Sequence, residues 1–492
     1  MKPDAKSAQL AVVGAGPGGY AAAFLAADLG LQVSLIDPAP DPGGVCLFRG
    51  CIPTKALLHV AHTIGEAKHA ASYGLRFAEP EIDIGGIQSW KDGIVRQLTA
   101  GLGQLSKQRK IDYRQGKARI IDPHTLQIDN DQGSGQLSFE HLILATGARA
   151  AKWRYPTRGI ARSIAPSSGL ESAHIMDSEG ALELGEVPET LLVVGGGYIG
   201  LELGTIYAAL GARVTLVEMT AGLLPGTDRD LVAVLQKRLD GMFEAIMLNT
   251  RVVHVTEAAE GLNVTLENEG AEPREAHFQK MLVAVGRLPN SDDLGLANTA
   301  VEVDPRGFIQ VDQKRQTAEP SVYAIGDVVG GPLLAHKAHH EGRVAAEAIA
   351  GRNVAFEPHA IPAVEFTDPE VAWCGLTETQ AREQNQEVKV TKFPWGASGR
   401  AATLGRADGL TKLIIDPQTE RVLGVGIVGS GAGELIGEAS LAIEMSALSA
   451  DISLTIHAHP TLSETLMEAA EMSHGHSTHL YHRTAREGKA YK

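Results

Sequence analysis

Two cysteines five residues apart, Cys46 and Cys51, are the side chains whose type and spacing most directly suggest chemistry. They stand in the stretch Gly43-Gly-Val-Cys46-Leu-Phe-Arg-Gly-Cys51-Ile-Pro-Thr-Lys55. On a regular helix five residues turn a side chain about 140° away and raise it about 7.5 Å. That rise exceeds the usual Cα separation of a disulfide. A bridge therefore needs an irregular turn, which Gly50 permits and Pro53 encourages. A disulfide strained in this way beside a helix start is easily reduced, with thiolates favoured by the dipole. The pair reads as a working dithiol–disulfide couple rather than two buried free thiols. Cys374, the third cysteine, follows Trp373 in an apolar stretch and reads as a buried free thiol.

Thiol–disulfide exchange also needs a proton acceptor near the incoming sulfur. The stretch His457-Ala-His459-Pro-Thr-Leu-Ser-Glu464 offers His459, with Glu464 five residues on to orient and charge-stabilise the imidazole. His457 reads as structural. A lone histidine beside proline is more often structural, and eighteen histidines dilute any one of them, so chemistry alone leaves His459 a candidate.

The elements that must position these groups announce themselves in two glycine-rich turns. In the first, an apolar strand at 10–13 meets Gly14-Ala-Gly16-Pro-Gly-Gly19; a helix to about 30 and a strand at 32–36 follow, ending at Asp37. In the second, a strand at 191–194 meets Gly195-Gly-Gly197-Tyr198-Ile199-Gly200; a helix to about 210 and a strand at 213–217 end at Glu218. Strand, three glycines, helix, strand and a terminal acid are the full context of a dinucleotide fingerprint. Two glycines let backbone approach a pyrophosphate and the third lets helix pack on strand, while the helix N-terminus offers N–H groups and a positive dipole. Glu218 can accept both ribose hydroxyls of NAD but repels a 2′-phosphate. Met219 and Thr220 are uncharged and the first nearby arginine is Arg229, so NAD is expected over NADP.

At 492 residues the chain is too long for one core and should form about three domains. Net charge of −15 argues against nucleic-acid or anionic-membrane partners. Three cysteines cannot make a disulfide framework, no apolar run spans a bilayer, and the first nine residues lack a secretory core, so the cytoplasm is the expected location. The expected fold class is α/β, with two Rossmann-like dinucleotide-binding domains and a C-terminal α+β domain. Its segments are 1–150, 151–280, 281–355 and 356–492, the last ending in a polar tail with His474, His476, His479 and His482. That tail reads as solvated or interface-lining, and no metal site is expected.

At the cysteine stretch, and nearly throughout to about residue 470, the chain resembles the flavoprotein disulfide reductases, the class I pyridine nucleotide-disulfide oxidoreductases. Matching stretches include Ala145-Thr146-Gly147, 195–202, Ala284-Val-Gly286-Arg287, Tyr323-Ala-Ile-Gly-Asp327, Ala335-His-Lys337 and 457–461. Within the family, residues 50–55 and 366–373 look most like the branch that oxidises dihydrolipoamide. The resemblance implies FAD at Gly14, Gly16, Gly19, Asp37, Gly44, Lys55, Ala118, Thr146, Gly147, Asp327 and Ala335. It implies NAD at Gly195, Gly197, Tyr198, Ile199, Gly200, Glu218, Val252, Ala284, Gly286 and Arg287. It implies that Lys55 pairs with Glu202 beside the flavin, and that Cys46 is the interchange thiol, with Cys51 against the flavin. It makes His459 with Glu464 the base, placed opposite a partner's disulfide in a homodimer. The substrate would be a lipoylated carrier protein, since no lipoyl domain is seen in the sequence, and a multienzyme core could be a partner. Another disulfide such as glutathione, or a docking flavoprotein subunit, remain as other readings.

Overall fold

The computed structural model describes residues 6–152, 172–268 and 270–481. The fold is mixed α/β, and the strand, glycine turn, helix and strand order expected at both fingerprints is present. His482 of the tail lies outside the described residues. The chain divides into two compact units: residues 1–60, 79–186 and 282–357, and residues 61–78, 187–281 and 358–492.

In the first unit the strand Lys6–Val13 lies parallel between Val33–Asp37 and the long strand Gly133–Leu144. Its Leu10, Ala11 and Val12 are wholly buried, as a central parallel strand covered on both faces requires. Asp112–Gln115 extends the sheet beyond Val33–Asp37, and Val322–Ala324 pairs in parallel with the end of Gly133–Leu144. The other end of that strand turns antiparallel to Thr125–Asn130, which pairs with Lys117–Asp122. The fingerprint helix Pro17–Asp28 packs against the helix Ala335–Ile349 through small residues. A Cβ on Gly342 would come within 2.5 Å of the Gly18 carbonyl oxygen.

In the second unit Thr190–Val194, Arg213–Val217 and Ala245–Met247 run parallel, and Tyr198–Ala209 is the fingerprint helix. Three antiparallel strands, Thr250–Ala258, Gly261–Asn268 and Arg274–Phe278, follow. The C-terminal part is a five-stranded antiparallel sheet built from Ala363–Glu365, Glu370–Gly375, Lys389–Pro394, Leu410–Ile415 and Val422–Gly429. The helices Ala432–Glu444 and Glu464–Ser473 cover it, with Trp395, Leu413 and Ile427 in the core between. Among the described residues no helix is long and apolar enough to cross a membrane.

Candidate active site

The irregular turn expected between the cysteines is a break between two helices. Gly44–Arg49 carries Cys46, Gly50 leaves helical geometry at φ −148° and ψ −114°, and Cys51 opens a second helix, Cys51–His69. Gly50 lies against the preceding turn: a Cβ there would sit 3.0 Å from the Val45 carbonyl oxygen and 3.3 Å from the Cys46 Cα. The Gly50 carbonyl accepts both the Thr54 N–H (3.0 Å) and the Thr54 hydroxyl (2.7 Å), which starts the second helix. The break brings the two thiols, here unbridged and half-buried, within hydrogen-bond reach. That hydrogen bond to Cys51, then burial, holds the Cys46 thiol well above its ordinary range, while Lys55 pulls the other way. The other sulfur, at the start of the second helix, is where the dipole favours charge.

Tyr20, on the fingerprint helix Pro17–Asp28, stands beside this pair. Burial raises its phenol, and negative charge on Cys46 or Cys51 raises it further. It follows directly on the first glycine motif, so its place was open to inspection, but nothing in its spacing pointed to the cysteines.

Around the first glycine turn, the Asp37 carboxylate accepts the Ala15 N–H (2.7 Å) through one oxygen and the Ala39 N–H (2.8 Å) through the other. Gly19 packs so closely that a Cβ would meet the Gly14 carbonyl oxygen at 1.8 Å. Gly44, at φ +64°, faces Gly16, whose Cα a Gly44 Cβ would approach to 2.4 Å. No side chain caps the helix at Gly16. This side-chain-free cradle at a helix N-terminus suits a pyrophosphate, so the residues fit the dinucleotide that the motif implies. Gly14 N–H bonds to the Ile36 carbonyl (2.8 Å), and Ala118 sits in Lys117–Asp122 opposite Ile128.

Asn290 was missed in the sequence. Its side-chain amide donates to the Thr146 carbonyl (2.9 Å), its own carbonyl accepts the Thr146 hydroxyl (2.7 Å), and its N–H bonds to Gly147 (2.9 Å). It clamps the Thr146–Gly147 turn, and it lies only three residues past the matched Arg287. The Gly286 carbonyl accepts the Ala151 N–H (3.0 Å). Ala284, Gly286 and Arg287, assigned to NAD, lie in the first unit. Arg287 Nε is 3.9 Å from Asp327 Oδ2, an FAD-assigned carboxylate that burial raises and that Arg287 and Lys337 lower. Ala335 opens the helix Ala335–Ile349, again with no side-chain cap.

The second turn repeats the first with one carbon more. Glu218, buried, accepts the Gly196 N–H through Oε2 (2.7 Å) and the Thr220 N–H through Oε1 (2.8 Å). A Cβ on Gly200 would meet the Gly195 carbonyl oxygen at 2.1 Å, and Gly197 caps its helix without a side chain. The residues therefore fit a second dinucleotide. Tyr198 is exposed and Ile199 half-buried, while Val252 is buried in its strand beside a bulge. Arg229 is turned inward: its guanidinium donates to the carbonyls of Leu223 (2.7 Å), Leu224 (2.7 Å) and Thr227. It is committed to its own loop, not to a 2′-phosphate.

Also in the second unit, His459 Nδ1 is 2.9 Å from Glu464 Oε1, and Glu464 Oε2 accepts the Thr461 N–H at 2.7 Å. Burial works to raise Glu464, but the Thr461 N–H and His459 outweigh it and hold the carboxyl below its usual range. The His459 side chain is 68% exposed, so Nε2 is open to a partner group. His457 has both nitrogens engaged, by the Thr455 carbonyl and Glu438, at 2.8 Å each. Glu202, buried, accepts the Phe366 N–H at 3.0 Å; Lys55 belongs to the first unit's part of Cys51–His69. Cys374 is buried, and burial pushes its thiol up to about 11. In the tail, His479, Ser477 and Thr478 all meet the buried Glu468. A carboxylate cluster of Asp228, Asp230 and Glu378 surrounds the buried Lys412 ammonium at 2.6, 2.7 and 3.1 Å.

Residues 8–342 match the family model described as pyridine nucleotide-disulphide oxidoreductase, and residues 361–470 match its dimerisation domain. A dihydrolipoyl dehydrogenase of Vibrio cholerae is 45% identical over 482 residues, covering 98% of this chain and 99% of that protein. One of Thermus scotoductus is 46% identical, covering 97% and 100%. Among solved structures, the HOCl-induced flavoprotein disulfide reductase RclA of Escherichia coli superposes with a TM-score of 0.81 at 26% identity, covering 94% of this chain and 99% of that one. LpdA of Mycobacterium tuberculosis gives 0.85 at 24% identity, covering 95% and 99%, a likeness of fold.

Proposed function

Because this chain belongs to the pyridine nucleotide-disulphide oxidoreductase family, we propose that it is a cytoplasmic, homodimeric enzyme that oxidises protein-bound dihydrolipoamide and reduces NAD⁺. FAD and NAD are its cofactors. The observation that carries this reading is the helix break at Gly50, which brings the Cys46 and Cys51 sulfurs together at a helix start. Near-complete alignment at 45% identity with a dihydrolipoyl dehydrogenase supports the substrate class.

In the proposed cycle His459 Nε2 takes the proton from one thiol of dihydrolipoamide. The resulting sulfur anion attacks Cys46, breaking the Cys46–Cys51 bond and forming a mixed disulfide, with Cys51 leaving as the thiolate. The second substrate thiol gives up its proton and displaces Cys46, which closes the lipoamide ring. Two electrons then rest in the enzyme's dithiol, with the remaining proton on Cys46 and the charge on Cys51. FAD, when bound, supplies the two-electron carrier between that thiolate and NAD⁺. Glu464 holds His459 in the tautomer with Nδ1–H toward the carboxylate, leaving Nε2 as acceptor, and steadies the imidazolium. Asp37 and Asp327 sit in the FAD half and Glu218 in the NAD half, and Lys55 and Glu202 are assigned to the flavin.

The domains are assigned as an FAD domain at 1–150 and 281–355, an NAD domain at 151–280, and an interface domain from 356. Exposed Leu441, Met445, Leu454 and Ile456, the last 96% exposed, support a dimer interface in that domain. A lipoyl-dependent multienzyme complex is its setting. A panel of reduced dihydrolipoamide, glutathione and other dithiols, each with NAD⁺ and NADP⁺, tests the reading. Dihydrolipoamide with NAD⁺ is expected to be the best pair by at least about 100-fold in kcat/KM, about 2.7 kcal/mol. Preference for glutathione would overturn it.

A further inference from the structure

Glu341 is wholly buried on the helix Ala335–Ile349, yet nothing in the proposed cycle uses it. Its Oε2 accepts the Gly326 N–H at 2.7 Å, and its carboxylate lies 3.1 Å from the Arg315 guanidinium and 3.2 Å from the Lys337 ammonium. Lys337, also buried, donates to the Gly326 carbonyl at 3.4 Å. Gly326 sits at φ +77° and immediately precedes Asp327, so the carboxylate holds a left-handed turn by its amide while the lysine holds it by its carbonyl. Asp327 in turn faces Arg287 and Lys337. The next residue, Gly342, is the point where this helix touches the Gly18 carbonyl of the fingerprint helix. Two adjacent residues therefore join the glycine cradle to the Asp327 turn.

We infer that Glu341 is a positioning residue for the flavin: its carboxylate fixes the Gly326–Asp327 turn and holds the Lys337 ammonium beside that turn. This rests on the reading of that cradle and Asp327 as the FAD site. A buried carboxylate with two cations and one amide is fully satisfied. Removing it leaves Lys337 and Arg315 unpaired in a dry interior and frees the turn. The uncompensated cations would also favour the reduced, anionic flavin.

The test uses the full-length protein, stripped of flavin and titrated with FAD, together with the flavin midpoint potential of the reloaded protein. Glu341→Gln keeps an oxygen for Gly326 but turns an amide donor toward the cations. It is expected to weaken FAD binding at least about tenfold and to move the potential positive. Glu341→Gln combined with Lys337→Met removes one of the opposed cations and should return the potential toward the native value. Lys337→Met alone should move it negative, which a merely structural role would not predict. An FAD dissociation constant within twofold of native and an unshifted potential in all three variants would overturn the inference. Native protein that takes up no FAD would instead overturn the reading of the site itself.

Discussion

Which sulfur of the reduced pair carries charge decides which one can pass electrons on. Its hydrogen bond to Cys51 and its burial push the Cys46 thiol up, and Cys51 is the residue proposed to carry the charge against the flavin. Cys46→Ser is therefore expected to show long-wavelength charge-transfer absorbance in the oxidised, substrate-free protein, and Cys51→Ser is not. Identical visible spectra would reverse or abolish these roles. Coenzyme choice is proposed to rest on single residues too. Glu218 binds both sides of its own turn and Arg229 is bound into its loop. Glu218→Gln should narrow the preference for NAD⁺ over NADP⁺, read as the ratio of kcat/KM values. Arg229 shows where residue-level reading of the sequence stops. Its position past Glu218 was plain, but its donors point at three carbonyls that only the folded loop brings round it. Asn290 and Tyr20 escaped for the same reason, since their partners are 144 residues away or on another helix.

Helices and strands convert those residues into a site. That Cys46 and Cys51 need a broken helix was legible from their spacing, because five residues of regular helix carry one sulfur away from the other. The fingerprints were legible because each couples three glycines to a strand, a helix and an acid in one short run. The helix Glu464–Ser473 orients His459 through its first residue. Glu464→Gln keeps the shape and removes the charge. The imidazolium formed when His459 takes a proton then loses its counter-ion. Turnover should fall about 10- to 100-fold, and turnover within twofold of native would count against Glu464 as the stabilising charge. Elsewhere Lys412 ties three elements together through Asp228, Asp230 and Glu378. Burial works to raise all three carboxyls, yet the lysines hold each below its ordinary range. Their stabilisation is thus present above about pH 4 and lost as the pH falls through the depressed values. Lys412→Met should lower stability by about 3–5 kcal/mol, read as a fall in Tm at neutral pH. This cluster was invisible in sequence, because its members span residues 228 to 412 and no motif unites them.

At the scale of the molecule, the chain's own contacts group residues 282–357 with the first glycine turn and residues 358–492 with the second. A linear reading can divide a chain into segments, but which segments share a core depends on long-range packing that composition does not record. The α/β class, which the two strand–glycine–helix–strand units indicated and composition did not, agrees with the structure. The proposed site extends beyond one chain: Cys46 and Cys51 of one protomer work with His459 and Glu464 of its partner across a two-fold axis. A mixed dimer of Cys46→Ser and His459→Ala chains, made by co-expression with two tags, tests this most directly with dihydrolipoamide and NAD⁺. Each homodimer should be almost inactive. The mixed dimer places both lesions in one site and leaves the other intact, so about half of the native activity per dimer is expected. A mixed dimer as inactive as its parents would mean that His459 serves the cysteines of its own chain, and would contradict the account.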